Sequence, residues 1–188
     1  MAGLHPRITF AVVALLLALG APARAELRIN DLDVYLNDYE VTVHVVALGA
    51  IPAAFHESIQ TGIPAHVRFT VELWQYNGLW RDRRLTRQVV ERQLTYNVVT
   101  KEYRVASIKG DSRPVYTTKD LRDAQRVVSE ARVMKLTSAS ALDPSDVIYV
   151  RVRAETALNG ENTLLARMAG TAEQTVRQSD YRTIFRVQ

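Results

Sequence analysis

Ala65-His66-Val67-Arg68-Phe69-Thr70-Val71-Glu72-Leu73-Trp74 is apolar at every odd position, and from His66 to Glu72 polar at every even one. Successive side chains of an extended chain point to opposite faces, so a period of two marks a strand with one face in a core. A helix, at 3.6 residues per turn, would scatter the five apolar side chains around its circumference.

The same rhythm recurs on both sides. Upstream, Leu32, Val34 and Leu36 alternate with Asp33 and Tyr35, and Val41, Val43 and Val45 alternate with Thr42 and His44. A turn at Asn37-Asp38 makes the two a hairpin. Pro52 to Thr61 reads as a short helix, with Phe55 and Ile59 one turn apart and Gly62 as its stop. Downstream, Asn77-Gly78 predicts a tight type I′ reversal. A return strand from Trp80 to Tyr96 follows, and the shift in apolar parity between Leu85/Val89 and Val90/Leu94/Tyr96 predicts a bulge near Val89. Val98 to Ile108 continues as strand and turns at Lys109-Gly110-Asp111. A long helix is expected next: Thr117-x-x-Asp120 resembles a capping box, and Leu121, Ala124, Val127, Val128, Ala131 and Met134 form an apolar stripe ending near Lys135. Val147 to Ala154 is strand again, with Ile148, Val150, Val152 and Ala154 inward. Asn159-Gly160 turns, Glu161 to Arg177 is open between helix and loop, and Tyr181 to Val187 is a final strand. Seven to nine strands with one long amphipathic helix and one short helix predict a mostly β architecture, an antiparallel two-sheet sandwich with the long helix in a crossover. The alternative is an α+β open sheet with that helix on one face.

Residues 1–25 have the layout of a secretory signal peptide: a basic start with His5 and Arg7, an apolar stretch from Ile8 to Leu19, and the small-residue exit Gly20-Ala21-Pro22-Ala23-Arg24-Ala25. The apolar stretch falls short of the roughly 20 residues that span a bilayer. Cleavage after Ala25 leaves residues 26–188 as one β-rich unit in the periplasm, without a transmembrane segment; an uncleaved signal would leave the protein membrane-anchored. Losing Arg7 and Arg24 lowers the net charge from +4 to +2, which names no partner. The chain has no Cys, so thiol catalysis, Cys-ligated metals, disulfides and Cys acylation are excluded.

The stretch Ser58-Ile59-Gln60-Thr61-Gly62-Ile63-Pro64 running into the strand Val67 to Trp74, then Leu79-Trp80-Arg81-Asp82, then Leu94-Thr95-Tyr96-Asn97-Val98-Val99-Thr100-Lys101-Glu102-Tyr103-Arg104-Val105 resembles a bacterial exported family, domain-of-unknown-function family 4390. Between Asn159 and Ser179 the chain lacks the Pro-rich segment that family tends to show. The resemblance implies an envelope protein without an assigned activity, and a link to a membrane signalling partner. It carries no catalytic residue over.

His56-Glu57 invites comparison with the zinc-protease helix, but Gln60 stands where the second His ligand belongs. His44 and His66 lie on polar strand faces. No Gly-x-Ser-x-Gly elbow, phosphate loop or dinucleotide fingerprint is present. The pairs Asp31/Asp33 and Asp38/Glu40 lack the loop of an EF-hand calcium site and read as surface carboxylates. No cofactor, no metal and no catalytic residue is therefore expected.

The candidate site is the hairpin that carries Trp74, Tyr76 and Trp80 with Arg81, Arg83, Arg84, Arg87 and Arg92. Rings desolvate cheaply and guanidinium groups stack on them or clamp anions, which suits a contact platform for an envelope protein or an anionic envelope surface. A bland alternative has the rings capping one end of the sandwich, with the arginines solvated against Glu72 and Glu91. A nucleic-acid partner does not suit an exported chain. The functional expectation is a non-enzymatic binding or accessory module; an envelope hydrolase with a cryptic site and a purely structural component are the alternatives.

Overall fold

A computed structural model describes residues 27–37, 39–143, 145–158, 171–178 and 185–186. The described strands are β1 (Arg28–Asn37), β2 (Glu40–Leu48), β3 (Ala65–Gln75), β4 (Arg83–Asn97), β5 (Glu102–Lys109), β6 (Tyr116–Thr118), β7 (Glu130–Ser138), β8 (Ile148–Leu158), β9 (Thr171–Gln178) and β10 (Phe185–Arg186). Two short helices join the sheets, α1 (His56–Gln60) and α2 (Leu121–Val128). The strands form a four-stranded sheet, β10-β1-β2-β7, and a six-stranded sheet, β6-β5-β4-β3-β8-β9. All neighbours are antiparallel except β1 and β10. The two-sheet, mostly β architecture follows from the alternation, and an open sheet is not what forms.

The parity of β3 is that of the sequence. Ala65, Val67, Phe69, Val71 and Leu73 are fully buried, and they meet the inward set Ile148, Val150, Val152 and Ala154 of β8, also buried. Val41, Val43 and Val45 of β2 belong to the same core. A well-packed apolar side chain in such a layer contributes about 1.5–3 kcal/mol through burial.

The expected long helix is a correction. α2 ends at Val128, and residues 130–138 form β7, paired with β2 through Val46↔Glu130, Val45↔Ala131, His44↔Arg132 and Val43↔Val133. Ala131 and Val133 alternate with Glu130 and Arg132, so they fit a strand facing the core. The Ser129 hydroxyl donates to the Gln125 carbonyl at 2.6 Å and closes the last helical turn. Lys135, at φ 64, kinks β7 so that Val133 and Leu136 are both buried. The helix cap is Asp120, whose carboxylate accepts from the Arg122 backbone N–H at 2.9 Å; it stands in the capping position, three residues after Thr117.

Smaller departures have local causes. The β1–β2 turn centres one residue later than expected, because Asn37 pairs with Glu40 and Tyr39 takes φ 67. The Pro52 to Thr61 helix begins as a 3-10 turn, Ala53–Phe55, before α1, and Gly62 at φ 95 ends it. A type I′ turn needs positive φ at both central residues. Neither Asn77 nor Gly78 has it, and residues 76–82 form a wider loop in which the Asp82 carboxylate accepts from the Asn77 backbone N–H at 3.1 Å. The bulge between β3 and β4 lies at Leu85, between the pairs Leu73↔Thr86 and Trp74↔Arg84, not at Val89. Val98 to Lys101 form the β4–β5 turn instead of strand, tied by the Asn97 side chain accepting from the Val99 and Thr100 N–H groups. Gly110, at φ 72, makes the expected turn after β5. Asn159-Gly160 and residues 161–170 lie outside the described residues, as does most of the expected strand Tyr181 to Val187. Within Glu161 to Arg177, residues from Thr171 are strand.

Candidate interaction surface

The outer face of β3 carries Arg68, Thr70, Glu72 and Trp74, opposite the core-facing set. Register sets its neighbours: Glu72 lies between Arg87 of β4 and Arg151 of β8, and Trp74 between Arg84 and Tyr149. Arg68, Thr70, Glu72 and Trp74 line an open groove of about 490 Å³ with Arg84 and Arg87 of β4 and Arg151, Arg153 and Glu155 of β8. Five arginines and two glutamates make it cationic in composition.

Glu72 organises one end. Its carboxylate accepts from Trp74 Nε1 and from Arg84 Nη1, both at 3.1 Å, and Arg87 Nε stands 3.8 Å away. Arg84 lies over the Trp74 ring at 5.9 Å, and Tyr149 stacks on that ring at 6.4 Å between centroids. The Tyr149 hydroxyl donates to Asp82 at 2.7 Å, which ties the groove to the 76–82 loop. At the other end Arg68 pairs with Glu91 at 3.0 Å, and His66 Nδ1 stands 3.1 Å from the same carboxylate.

The structure divides the candidate residues into three groups. Trp74, Arg84 and Arg87 come together around Glu72. Tyr76, Trp80 and Arg81 lie on the exposed 76–82 loop, where Leu79 is 96% and Trp80 80% exposed. Arg83 pairs with Gln75 beside the loop, its Nε donating to Gln75 Oε1 at 3.0 Å. Trp80 thus projects from the loop and does not cap the sandwich. Arg92 leaves the cluster altogether: it is 2% exposed and faces the core side between Val67 and Ser107. Sequence reading missed Arg68, Tyr149, Arg151 and Arg153. The alternation of β8 signals that Tyr149, Arg151 and Arg153 share a polar face, but nothing local says that β8 pairs with β3.

The histidines sit apart. His44 lies 3.1 Å from Glu130 and 3.8 Å from Asp33, and His56 Nε2 meets Gln125. Among the described residues no group of three His, Asp or Glu side chains is placed to hold a metal ion. No helix among them is long and apolar enough to cross a membrane.

Comparison with known proteins gives one match: the family described as "Domain of unknown function (DUF4390)", over residues 24–169. No curated protein and no solved structure matches the chain.

Proposed function

Because the chain belongs to this domain-of-unknown-function family, which supplies no activity, we propose from its geometry that it is an exported, non-enzymatic binding module that docks on an anionic membrane surface through the loop between β3 and β4. The observation that carries this reading is the tip Leu79-Trp80, almost wholly exposed and flanked by exposed Arg81, Arg83 and Arg84. An apolar pair at a loop tip is costly in water and favourable in the headgroup zone, where an indole ring sits with one end apolar and one wet. Each arginine held near an anionic surface adds about 1 kcal/mol, screened by salt. The cationic groove behind the loop supports the same contact. The leader-like composition of residues 1–25 supports an outer location for the module, in which residues 26–188 are taken as one unit.

Vesicle sedimentation tests the reading. The protein is expected to pellet with vesicles containing phosphatidylglycerol and not with pure phosphatidylcholine, with release at high salt and a blue shift of tryptophan emission that Trp80→Phe removes. Arg81→Ser combined with Arg83→Ser weakens pelleting and Leu79→Ser abolishes it. Failure to pellet with anionic vesicles, with a photocrosslinker at position 80 trapping a protein in intact cells, replaces the lipid surface with a protein partner.

A further inference from the structure

A second, smaller cavity lies on the core side of the six-stranded sheet, at the end that α2 covers. Its volume is about 180 Å³, and it is lined by Arg92 of β4, Val105 and Ser107 of β5, Val127 of α2, Arg113 and Pro114 of the segment leading into β6, and Tyr116, the first residue of β6. Among the described residues, three buried side-chain nitrogen or oxygen atoms have no hydrogen-bond partner: Arg92 Nε, Ser107 Oγ and Arg113 Nη2. All three belong to residues lining this one cavity. A buried donor left without a partner costs about 1–3 kcal/mol, more when charged, so three on one wall describe a site with its acceptor still to come.

Each of the other guanidinium nitrogens has a partner. Arg92 Nη1 donates to the Val127 carbonyl and Nη2 to Asp111 Oδ2, both at 2.5 Å. Arg113 Nε donates to the same oxygen at 3.0 Å, and its Nη1 reaches Glu130 Oε1 at 3.5 Å. Two guanidinium groups face two carboxylates here, Asp111 and the more distant Glu130, so the charges nearly balance. The unpartnered guanidinium nitrogens are donors with no acceptor, and the Ser107 hydroxyl can donate too, which suits an acceptor-only group such as one carboxylate. The other walls, Val105, Pro114, Val127 and the Tyr116 ring, are mostly apolar. A cavity of about 150 Å³ accepts a benzene ring, so this one has room for a ring or branched chain of similar size with one small polar group.

We propose that this cavity binds a small monocarboxylate with a short apolar tail, the carboxylate taken by Arg92 Nε, Arg113 Nη2 and Ser107 Oγ and the tail by Val105, Pro114 and Val127. The site is independent of the proposed membrane contact, which uses the 76–82 loop and the groove on the opposite face of the sheet. Burial holds the Arg92 guanidinium below its ordinary value, offset in part by its bond to Asp111, and a bound carboxylate would relieve that cost.

Titration of the full chain with benzoate and isovalerate, followed by calorimetry and by amide chemical shifts, tests the site, with benzamide as the neutral match to benzoate. Saturable binding of at least one acid is expected, with shifts centred on Ser107, Arg113 and Val127, and benzamide at least about tenfold weaker because it brings no charge to the guanidinium donors. Ser107→Leu fills the cavity without touching the Arg92–Asp111 pair and should abolish binding; Arg113→Gln should weaken it about tenfold. Absence of binding by both acids, equal binding of benzamide, or binding that survives Ser107→Leu in a folded protein each overturns the proposal.

Discussion

Gly110 is held by its surroundings as much as by its own backbone. At φ 72 it is in the left-handed region, and a β-carbon there would fall 2.1 Å from the Val89 carbonyl oxygen. Backbone cannot yield as a flexible side chain can, so Gly110→Ala is expected to lower the urea midpoint by an amount equivalent to about 2–4 kcal/mol, whereas Gly78→Ala, with only the Tyr76 ring near, should change it by less than about 1 kcal/mol. Asp111 and Glu130 set a pH dependence. Burial alone would raise the Asp111 carboxyl, yet hydrogen bonds from Arg92 and from the Arg113 backbone hold it below the ordinary carboxylate range. Burial likewise opposes Glu130, but His44 and Arg113 hold it low. A carboxyl lowered in the folded state adds stability that is complete above its unfolded value and disappears as pH falls through the folded one. Unfolding midpoints should therefore be level from neutral pH to about 5 and drop below about 4, and Asp111→Asn should flatten that drop while lowering stability throughout. The buried role of Arg92 was not legible in sequence, since it sits in a run of surface arginines and only its register opposite Val67 and Ser107 turns it inward.

Among elements, β3 is the one whose sequence states its structure, because a strictly alternating strand with β-branched and aromatic residues inward has a single register that hides them. Phe69→Ala is expected to cost about 3–5 kcal/mol, seen as a shift in the thermal or urea transition. Val99→Ala, at the exposed β4–β5 turn, should fall within about 0.5 kcal/mol. The stretch from Leu121 to Lys135 shows why other elements were harder to read. Leu121, Ala124 and Val128 continue into Ala131 at three- and four-residue spacing, so one helix and a helix followed by a strand share most of the same apolar positions. The choice falls to β2, whose free side at Val43 and Val45 takes Val133 and Ala131 as partners, and that pairing spans more than 80 residues of chain. The Asn77-Gly78 loop erred for a similar reason: the bulge at Leu85 and the Asp82 tether lengthen a connection that the dipeptide alone would close in two residues.

At the scale of the whole molecule, the sandwich leaves one outer sheet face rich in arginine and one loop tip rich in apolar surface, and the contact proposed above joins them. If the chain is exported with removal of its leader, intact-mass measurement of the protein from the producing cell should show a polypeptide beginning at Glu26; a mass that retains Met1 would remove the membrane side assigned to the module. The surface could be guessed in part, since Trp74, Arg84 and Arg87 were found from one hairpin. Its other half comes from β8, and sheet order across non-local strands is information that no window of sequence contains.

The kink in β7 has a further effect. In the sheet order of the described strands β7 is outermost, so its free N–H and C=O groups offer a template on which another copy of the chain could add a strand. Lys135, turned out of the ladder at φ 64 and salt-bridged to Glu40, breaks that template, and its own carbonyl is occupied by the Gln88 side chain at 2.9 Å. An irregularity that bends one strand to bury both Val133 and Leu136 thereby also discourages edge-to-edge aggregation, and straightening it would open the edge to self-association as well as turn one of those side chains outward.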